Sequence, residues 1–389
     1  MKLNRIGIVS TFPPTQCGIA TYINDLLTHL HHLNPSLTFR QFELLDNSQN
    51  DSSRKIYPIR NSIPEDYLKA SQFINSSDID LLDIQHEFKI YGKPDGENII
   101  ILLDNVKKPI VTTLHTVNPE LPNSRENIFK KVLQRSDLLF VFSKDAKQYL
   151  CDRYSIETEK ILVIPHGTPS IAFRLPCEIS TRHHGQNDLV FVSTGHMRES
   201  KGYEIAIQAL NNIKMRLGCF HYYIVGANHP QNEVAERYRT SLTDLVHACG
   251  LEERITFINK YISQNELIEL IQCADVCLLP YTRKEQSSSG VLALMIACGR
   301  PVVTTPFQFA TSQITSNSGV VTKTFSSIDF SQGIESLIRR KKDWKNIMEY
   351  NLTLGQRWNW DNVAKQYYTG YEKAISNFTG QNVGLDSIE

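Results

Sequence analysis

The sequence predicts an α/β protein built from two doubly wound domains. Three observations carry that reading: short apolar, β-branched runs alternate with amphipathic segments, the rhythm breaks once near residue 170, and it then restarts in the same form. A chain of 389 residues is also too long for one ordinary core and comfortable as two.

In the first half, "RIGIVSTF" (5–12), "LLDIQHEF" (81–88), "PIVTTLHTV" (109–117), "DLLFVFS" (137–143) and "KILVIPHG" (160–167) read as strands. Their apolar runs are near-continuous rather than alternating, the pattern of parallel strands covered on both faces. Helical spacing fills 20–33, 65–77, 97–106, 124–135 and 144–153 between them. The segment 168–188 carries two prolines and little periodicity, which marks 171–187 as a linker between domains at 1–170 and 188–357. After it come strands at 189–195, 220–226, 255–261, 275–281, 301–305 and 318–323, and helices at 201–217, 232–248, 264–273, 288–298 and 327–340. The tail 358–389 opens on a helix, "WNWDNVAKQYYTGYEKAISNF", expected to cross back to the N-terminal domain.

Composition excludes several classes. With 41% hydrophobic and 21% charged residues the chain is globular, and no apolar run reaches the roughly 18 residues of a membrane span. Lys plus Arg and Asp plus Glu both total 41, so the basic excess of a nucleic-acid binder is missing. The start lacks the apolar core of a signal peptide, and the expectation is a cytoplasmic chain. The eight cysteines are scattered, with only Cys273 and Cys277 close together, so the expectation is buried reduced thiols and no metal site.

Ligands of open parallel sheets sit beyond the carboxyl ends of the strands, so the residues just after strands are the ones to interrogate. "FPPTQCGIATY" (12–22) follows the first strand, and Gly18 lets backbone approach a ligand as a helix begins, although a plain βα turn would read the same. His115 leaves the strand at 109–117, while His86 and Glu87 leave the one at 81–88; a satisfied core histidine is the alternative for each. In "STGHMRESKGYEIAIQAL" (193–210), Gly195 is followed by a basic loop in which Arg198 and Lys201 flank a helix start, where a diphosphate would be held well. Gly226 in "IVGANH" is another close-approach turn. "DVCLLPYTRKEQSSSGVLALMIACG" gives a strand, an exit loop with Glu285, and a helix opened by Ser288, Ser289 and Gly290. Those serines either cap the helix or face a phosphate or sugar, with Glu285 accepting from sugar hydroxyls. The acidic pair in "DID" (78–80) precedes its strand and reads as a loop.

Taken in order, "FPPTQCGIATY", "TLHTV", "VIPHGT", "GHMRESKG", "YIVGA", "FINKYISQNELIELIQCADVCLLPY", "EQSSSGVLALMIACGRPVV" and "WNWDNVAKQYY" resemble the retaining glycosyltransferases of family 4 over nearly the whole chain. The resemblance implies the GT-B fold, two Rossmann-like domains facing a central cleft, and metal-independent transfer of a hexosyl unit from a GDP- or UDP-linked donor to a glycan, polysaccharide or lipid-linked acceptor. It implies that Gly18 lies near donor phosphate and acceptor, that His115 approaches the transferred sugar, and that Lys201 neutralises the diphosphate. It also implies that Glu285 contacts sugar hydroxyls. The pattern departs twice. The arginine expected directly after Gly195 is His196, leaving His196 or Arg198 for that role. The second carboxylate of the family pair, which holds the nucleotide ribose, falls on Ala293. That leaves two alternatives open, a retaining disaccharide phosphorylase working from a sugar 1-phosphate and a degenerate member that only binds glycan or nucleotide. His29, His31 and His32 stand on the first helix where lysines of a membrane-binding relative would be, so that helix offers a solvated face or a weak peripheral contact.

Overall fold

The computed structural model describes residues 3–15, 17–46, 56–92, 94–175, 188–226, 233–260 and 262–380. They form two compact units: one comprises the chain through Gly167 together with the segment from Trp360 onward, and the other is Thr168–Asn359.

The first unit contains β1 (Arg5–Ser10), α1 (Gly18–Leu33), β2 (Thr38–Leu45), β3 (Tyr57–Arg60), α2 (Pro64–Ser76), β4 (Leu81–His86), α3 (Ile99–Asn105), β5 (Ile110–Leu114), α4 (Asn123–Arg135), β6 (Leu138–Val141), α5 (Lys144–Tyr154) and β7 (Ile161–Val163). Its sheet has the order β3-β2-β1-β4-β5-β6-β7, and every pairing is parallel. All six residues of β4 and all five of β5 are buried, as central strands covered on both faces require.

The second unit contains β8 (Leu189–Thr194), α6 (Tyr203–Leu217), β9 (Phe220–Val225), α7 (Glu233–Ala248), β10 (Ile255–Ile258), α8 (Gln264–Cys273), β11 (Val276–Leu279), α9 (Gly290–Ala297), β12 (Val302–Thr304), α10 (Gln308–Gln313), β13 (Gly319–Val321), α11 (Ser327–Arg339) and α12 (Trp344–Arg357). Its parallel sheet runs β10-β9-β8-β11-β12-β13. In both sheets the strand order reverses beside the first strand, between β1 and β4 and between β8 and β11. Loops leaving the two strands at such a switch point diverge and open a crevice.

The last helix, α13 (Trp360–Thr379), packs in the first unit. It buries Trp360, Val363, Tyr367, Tyr371 and Ile375 on one face, a spacing of three and four residues. Its ring contacts include Trp360 with Tyr22 of α1 at 5.0 Å and Tyr367 with Phe140 of β6 at 4.6 Å. Burying aromatics of this size contributes roughly 1.5–3 kcal/mol each. The same packing uses the apolar face of α1: Ile23, Leu26, Leu27 and Leu30 are buried, and His29 lies against Trp360. Among the described residues no helix is long and apolar enough to cross a membrane.

Several elements differ from the sequence expectation. Strands β2 and β3 and helices α10 and α12 were not anticipated. Helix α9 starts at Gly290 rather than 288, because the Ser289 hydroxyl accepts from Leu292 N and so marks Ser289 as the cap outside the helix. The chain passes between units at 167/168 and 359/360, and residues 176–187 of the expected linker lie outside the described residues. The seven described cysteines are free, but only Cys273, Cys277 and Cys298 are buried; Cys17, Cys151 and Cys249 are half-buried and Cys219 is exposed.

Candidate active site

In the second unit the two loops at the switch point carry every residue marked there by sequence except Gly226, which follows β9. Past β8 the chain reaches Gly195, whose φ of 141° is a conformation that favours glycine. Gly195 N donates to Val225 O at 3.0 Å, and a Cβ placed on Gly226 would lie 1.9 Å from Gly195 O. The two glycines therefore pack backbone on backbone. The Tyr203 hydroxyl donates to Gly195 O at 3.0 Å and holds the loop to the first turn of α6.

Arg198 is exposed, and Lys201 closes a 3-10 turn (Glu199–Lys201) that Gly202 ends in the left-handed region at φ 63°. This turn is pinned to the exit of β11: Thr282 N donates to Ser200 O at 3.2 Å, and a Cβ on Gly202 would meet Pro280 O at 2.0 Å. Lys201 Nζ then lies 3.8 Å from the centre of the Tyr281 ring, a cation–π contact. The ring itself stacks on Phe307 at 5.0 Å, so it is fixed from behind. Among the described residues no carboxylate stands within ion-pair distance of Lys201 or Arg198. A half-buried ammonium is held by an aromatic face, with its charge left for something else.

Gly202→Ala is expected to lower stability by at least about 2 kcal/mol, since a left-handed residue gains a Cβ against fixed backbone. Urea unfolding checks this. A variant as stable as the parent would show that the loop is not locked against Pro280.

Beyond Tyr281 the exit loop is braced by the segment after β12. Gln308 N donates to Lys284 O at 2.8 Å, Phe309 N donates to Gln286 O at 3.0 Å, and the Thr305 hydroxyl donates to Tyr281 O at 2.6 Å. Glu285 is half-buried on this braced loop, and among the described residues no cation pairs with it. Ser289 caps α9, Gln286 Nε2 donates to Ser288 O at 3.0 Å, and Gly290 is the first helical residue. Ala293 is fully buried inside α9, so no side chain there reaches a ribose.

In the first unit, Gly18 opens α1 and is exposed, and a Cβ on it would meet nothing within 4 Å. The preceding Cys17 caps the helix, its sulfur accepting from Ala20 N at 3.4 Å and sitting 3.1 Å from the Thr11 hydroxyl. Gly18 is thus not forced by packing. A cavity of about 530 Å³ opens beside this loop, lined by Phe12, Pro13, Leu27 and Phe39 with Asn24, Thr28 and Gln41.

His115 follows β5, nearly buried between Tyr22 (5.2 Å) and Phe142 (5.4 Å), and its backbone N donates to His86 O at 3.0 Å. Burial, then the neighbouring His166 and His86, push its pKa down to about 3, so the ring is neutral. His86 belongs to the core: it lies against Phe88 and Tyr91, both its ring nitrogens are buried without partners, and burial pushes its pKa to about 3. Glu87 accepts from the Thr116 hydroxyl.

Sequence reasoning missed a buried polar network behind His115. Asp83 and Gln85, on one face of β4, meet Thr113 of β5, Tyr22 of α1, and Tyr367 and Tyr371 of α13. Tyr371 OH donates to Asp83 Oδ2 at 2.6 Å, Gln85 Nε2 donates to Asp83 Oδ1 at 2.8 Å, and Tyr367 OH lies 3.0 Å from Thr113 Oγ1 and 2.9 Å from Tyr22 OH. The sequence signal was polar residues at positions i and i+2 of a wholly buried strand that opens on Leu81-Leu82.

The model for Glycosyltransferase Family 4 matches residues 18–170, and that for Glycosyl transferases group 1 matches residues 179–352. The chain belongs to the family-4, group-1 glycosyltransferases. This glycosyltransferase is 22% identical over 316 residues to a phosphatidyl-myo-inositol mannosyltransferase of Propionibacterium freudenreichii subsp. shermanii, a match covering 80% of this chain and 74% of that protein. It resembles HepE of Anabaena, solved in complex with UDP, with a TM-score of 0.74 at 16% identity over 95% of this chain and 100% of the other. A glycosyltransferase from Rickettsia africae ESF-5 gives 0.73 at 15% identity over 96% and 100%. At such identities the structural likeness establishes the fold, GT-B with two Rossmann-like domains.

Proposed function

We propose that this glycosyltransferase moves a mannosyl or glucosyl unit, with retention, from a UDP- or GDP-linked donor to a glycan, polysaccharide or lipid-linked acceptor. The observation that carries the reading is Lys201, an ammonium fixed over Tyr281 with no carboxylate beside it among the described residues, at the switch point of the second unit. Departure of a sugar from a diphosphate builds negative charge on the phosphate. Lys201, Arg198 and the backbone N–H groups at Ser289-Gly290 are the donors to meet it. Glu285 accepts from sugar hydroxyls, His115 approaches the transferred sugar, and the glycines at 18 and 195 let backbone close on the donor, while Gly226 makes room for the Gly195 carbonyl. Front-face attack, with the leaving phosphate oxygen taking the acceptor proton, gives retention without a base on the protein. The mannosyl preference draws on the mannosyltransferase relative, and the glucosyl one on HepE, which is also solved with UDP-glucose. The cavity beside the β1 exit, apolar with hydroxyl and amide groups, is a place for the acceptor.

The buried Ala293 favours a second reading, a phosphorylase working from a sugar 1-phosphate, because that enzyme needs no ribose contact. Thermal shift with UDP, GDP, ADP, their sugar conjugates, and glucose and mannose 1-phosphates separates the two. A ligand at a hundredfold excess over its Kd stabilises the native state by about 2.7 kcal/mol. A shift with one nucleoside diphosphate supports the transferase and names its donor, whereas shifts with sugar phosphates alone support the phosphorylase. Glu285→Ala is expected to lower turnover roughly ten- to hundredfold, the loss of hydrogen bonds to a charged group, and near-normal turnover would remove Glu285 from the site.

A further inference from the structure

We infer that Gln85 is a positioning residue for His115: when Asp83 is ionised, its carboxylate orients the amide, whose side-chain oxygen holds the imidazole in the tautomer protonated on Nε2. The catalytic consequence rests on the role proposed for His115 above; the tautomer itself does not.

Counting donors and acceptors carries the argument. The amide nitrogen of Gln85 has two hydrogens, and two acceptors are in place, Asp83 Oδ1 at 2.8 Å and Thr113 Oγ1 at 3.2 Å. The other carboxylate oxygen of Asp83 accepts from the Tyr371 hydroxyl. The Gln85 oxygen therefore faces His115 Nε2, at 2.9 Å. That oxygen has no proton to give, so Nε2 must give one. A neutral ring carries one N–H, which makes Nδ1 the acceptor nitrogen.

The reversed amide would set its oxygen against the carboxylate and its N–H₂ against the imidazole. This arrangement needs a proton on Asp83 Oδ1 and none on His115 Nε2, so the two ends of the chain are coupled. Asp83, Gln85 and Thr113 are wholly buried, and no bulk water can rescue a mismatched pair. The Tyr91 hydroxyl donates to Gln85 O at 2.8 Å and fixes the backbone from which the amide projects. In the role proposed above, His115 therefore acts with its lone pair at Nδ1 and not as a cation. The network reaches α13, the last helix among the described residues, through Tyr371, so α13 takes part in setting that nitrogen.

The test is a long-range ¹H–¹⁵N spectrum of the full chain labelled in its histidines, recorded at pH 8, with His115 assigned by the signal lost in His115→Gln. The expected result is Nε2 in the protonated range and Nδ1 in the unprotonated range. The opposite pattern, or an average of the two, overturns the inference, and this readout on the parent chain does not depend on any variant folding. In Gln85→Met, Nε2–H loses its acceptor, and the spectrum is expected to move toward a mixture. With donor turnover measured on the same samples, kcat is expected to fall on the order of tenfold, one hydrogen bond's worth, with the KM for donor little changed. An unchanged His115 spectrum in Gln85→Met overturns the positioning role. A parent chain that turns over no donor yet shows protonated Nε2 upholds the tautomer and overturns the proposed function instead.

Discussion

Lys201→Ala is expected to lower donor turnover by two to three orders of magnitude while leaving the protein folded. The size follows from the chemistry: one preorganised donor aimed at developing charge is worth about 3–4 kcal/mol of barrier. The survival of the fold follows from the geometry. What Lys201 gives the native state is its contact with Tyr281, 3.8 Å from ring centre to ammonium, and such contacts contribute about 0.5–2 kcal/mol. The ring stays stacked on Phe307, and the loop stays tied by Thr282 N to Ser200 O. Turnover and urea unfolding measured together decide the matter. Activity within threefold of the parent would show that Lys201 does not meet the transition-state charge, and a collapse in stability matching the loss would make the role structural.

The layout of the candidate site is legible in sequence where a residue's position is set by its place along the chain. Gly195, Lys201, Glu285 and His115 each follow an apolar strand, and an apolar run is the signal that sequence carries best. Strand β2, "TFRQFELL", hid because its first four positions are exposed or half-buried and take Arg40 and Gln41. Helix α12 hid because its buried stripe includes Asn351 and Gly355 among Trp344, Ile347 and Met348. Both exceptions have tertiary causes. Asn351 Nδ2 donates to the carbonyls of Arg300 and Ser318, and a Cβ on Gly355 would lie 2.5 Å from Ala297 Cα of α9. The network behind His115 was illegible for the same reason. Its key bond joins Asp83 to Tyr371 across 288 positions, and no periodicity encodes a partner at that range.

Three buried histidines, His86, His115 and His166, make the first unit acid-sensitive, the second large effect expected. Burial holds His86 and His115 near pKa 3 and His166 near 4, so each stays neutral in the fold while the unfolded chain protonates it below about 6.5. Their stabilisation is complete above that value and is lost as pH falls toward 3–4. Asp83 acts the other way. Burial raises its pKa to about 7, and the Tyr371 and Gln85 bonds pull it back only in part. Between about 7 and 4 the folded state therefore keeps a proton that the unfolded chain gives up. Near pH 5 unfolding takes up three protons on the histidines and releases one from Asp83, a net of two, which corresponds to about 2.7 kcal/mol lost per pH unit of acidification. Urea unfolding at pH 7, 6 and 5, followed by hydrogen exchange in β4 and β5, reads this unit by itself. His86→Leu sharpens the test, because both ring nitrogens of His86 are buried without partners and an apolar side chain removes that mismatch. The variant is expected to be at least as stable as the parent at pH 7 and to show about half the pH slope. An unchanged slope would mean that His86 protonates in the fold and that burial does not hold it neutral.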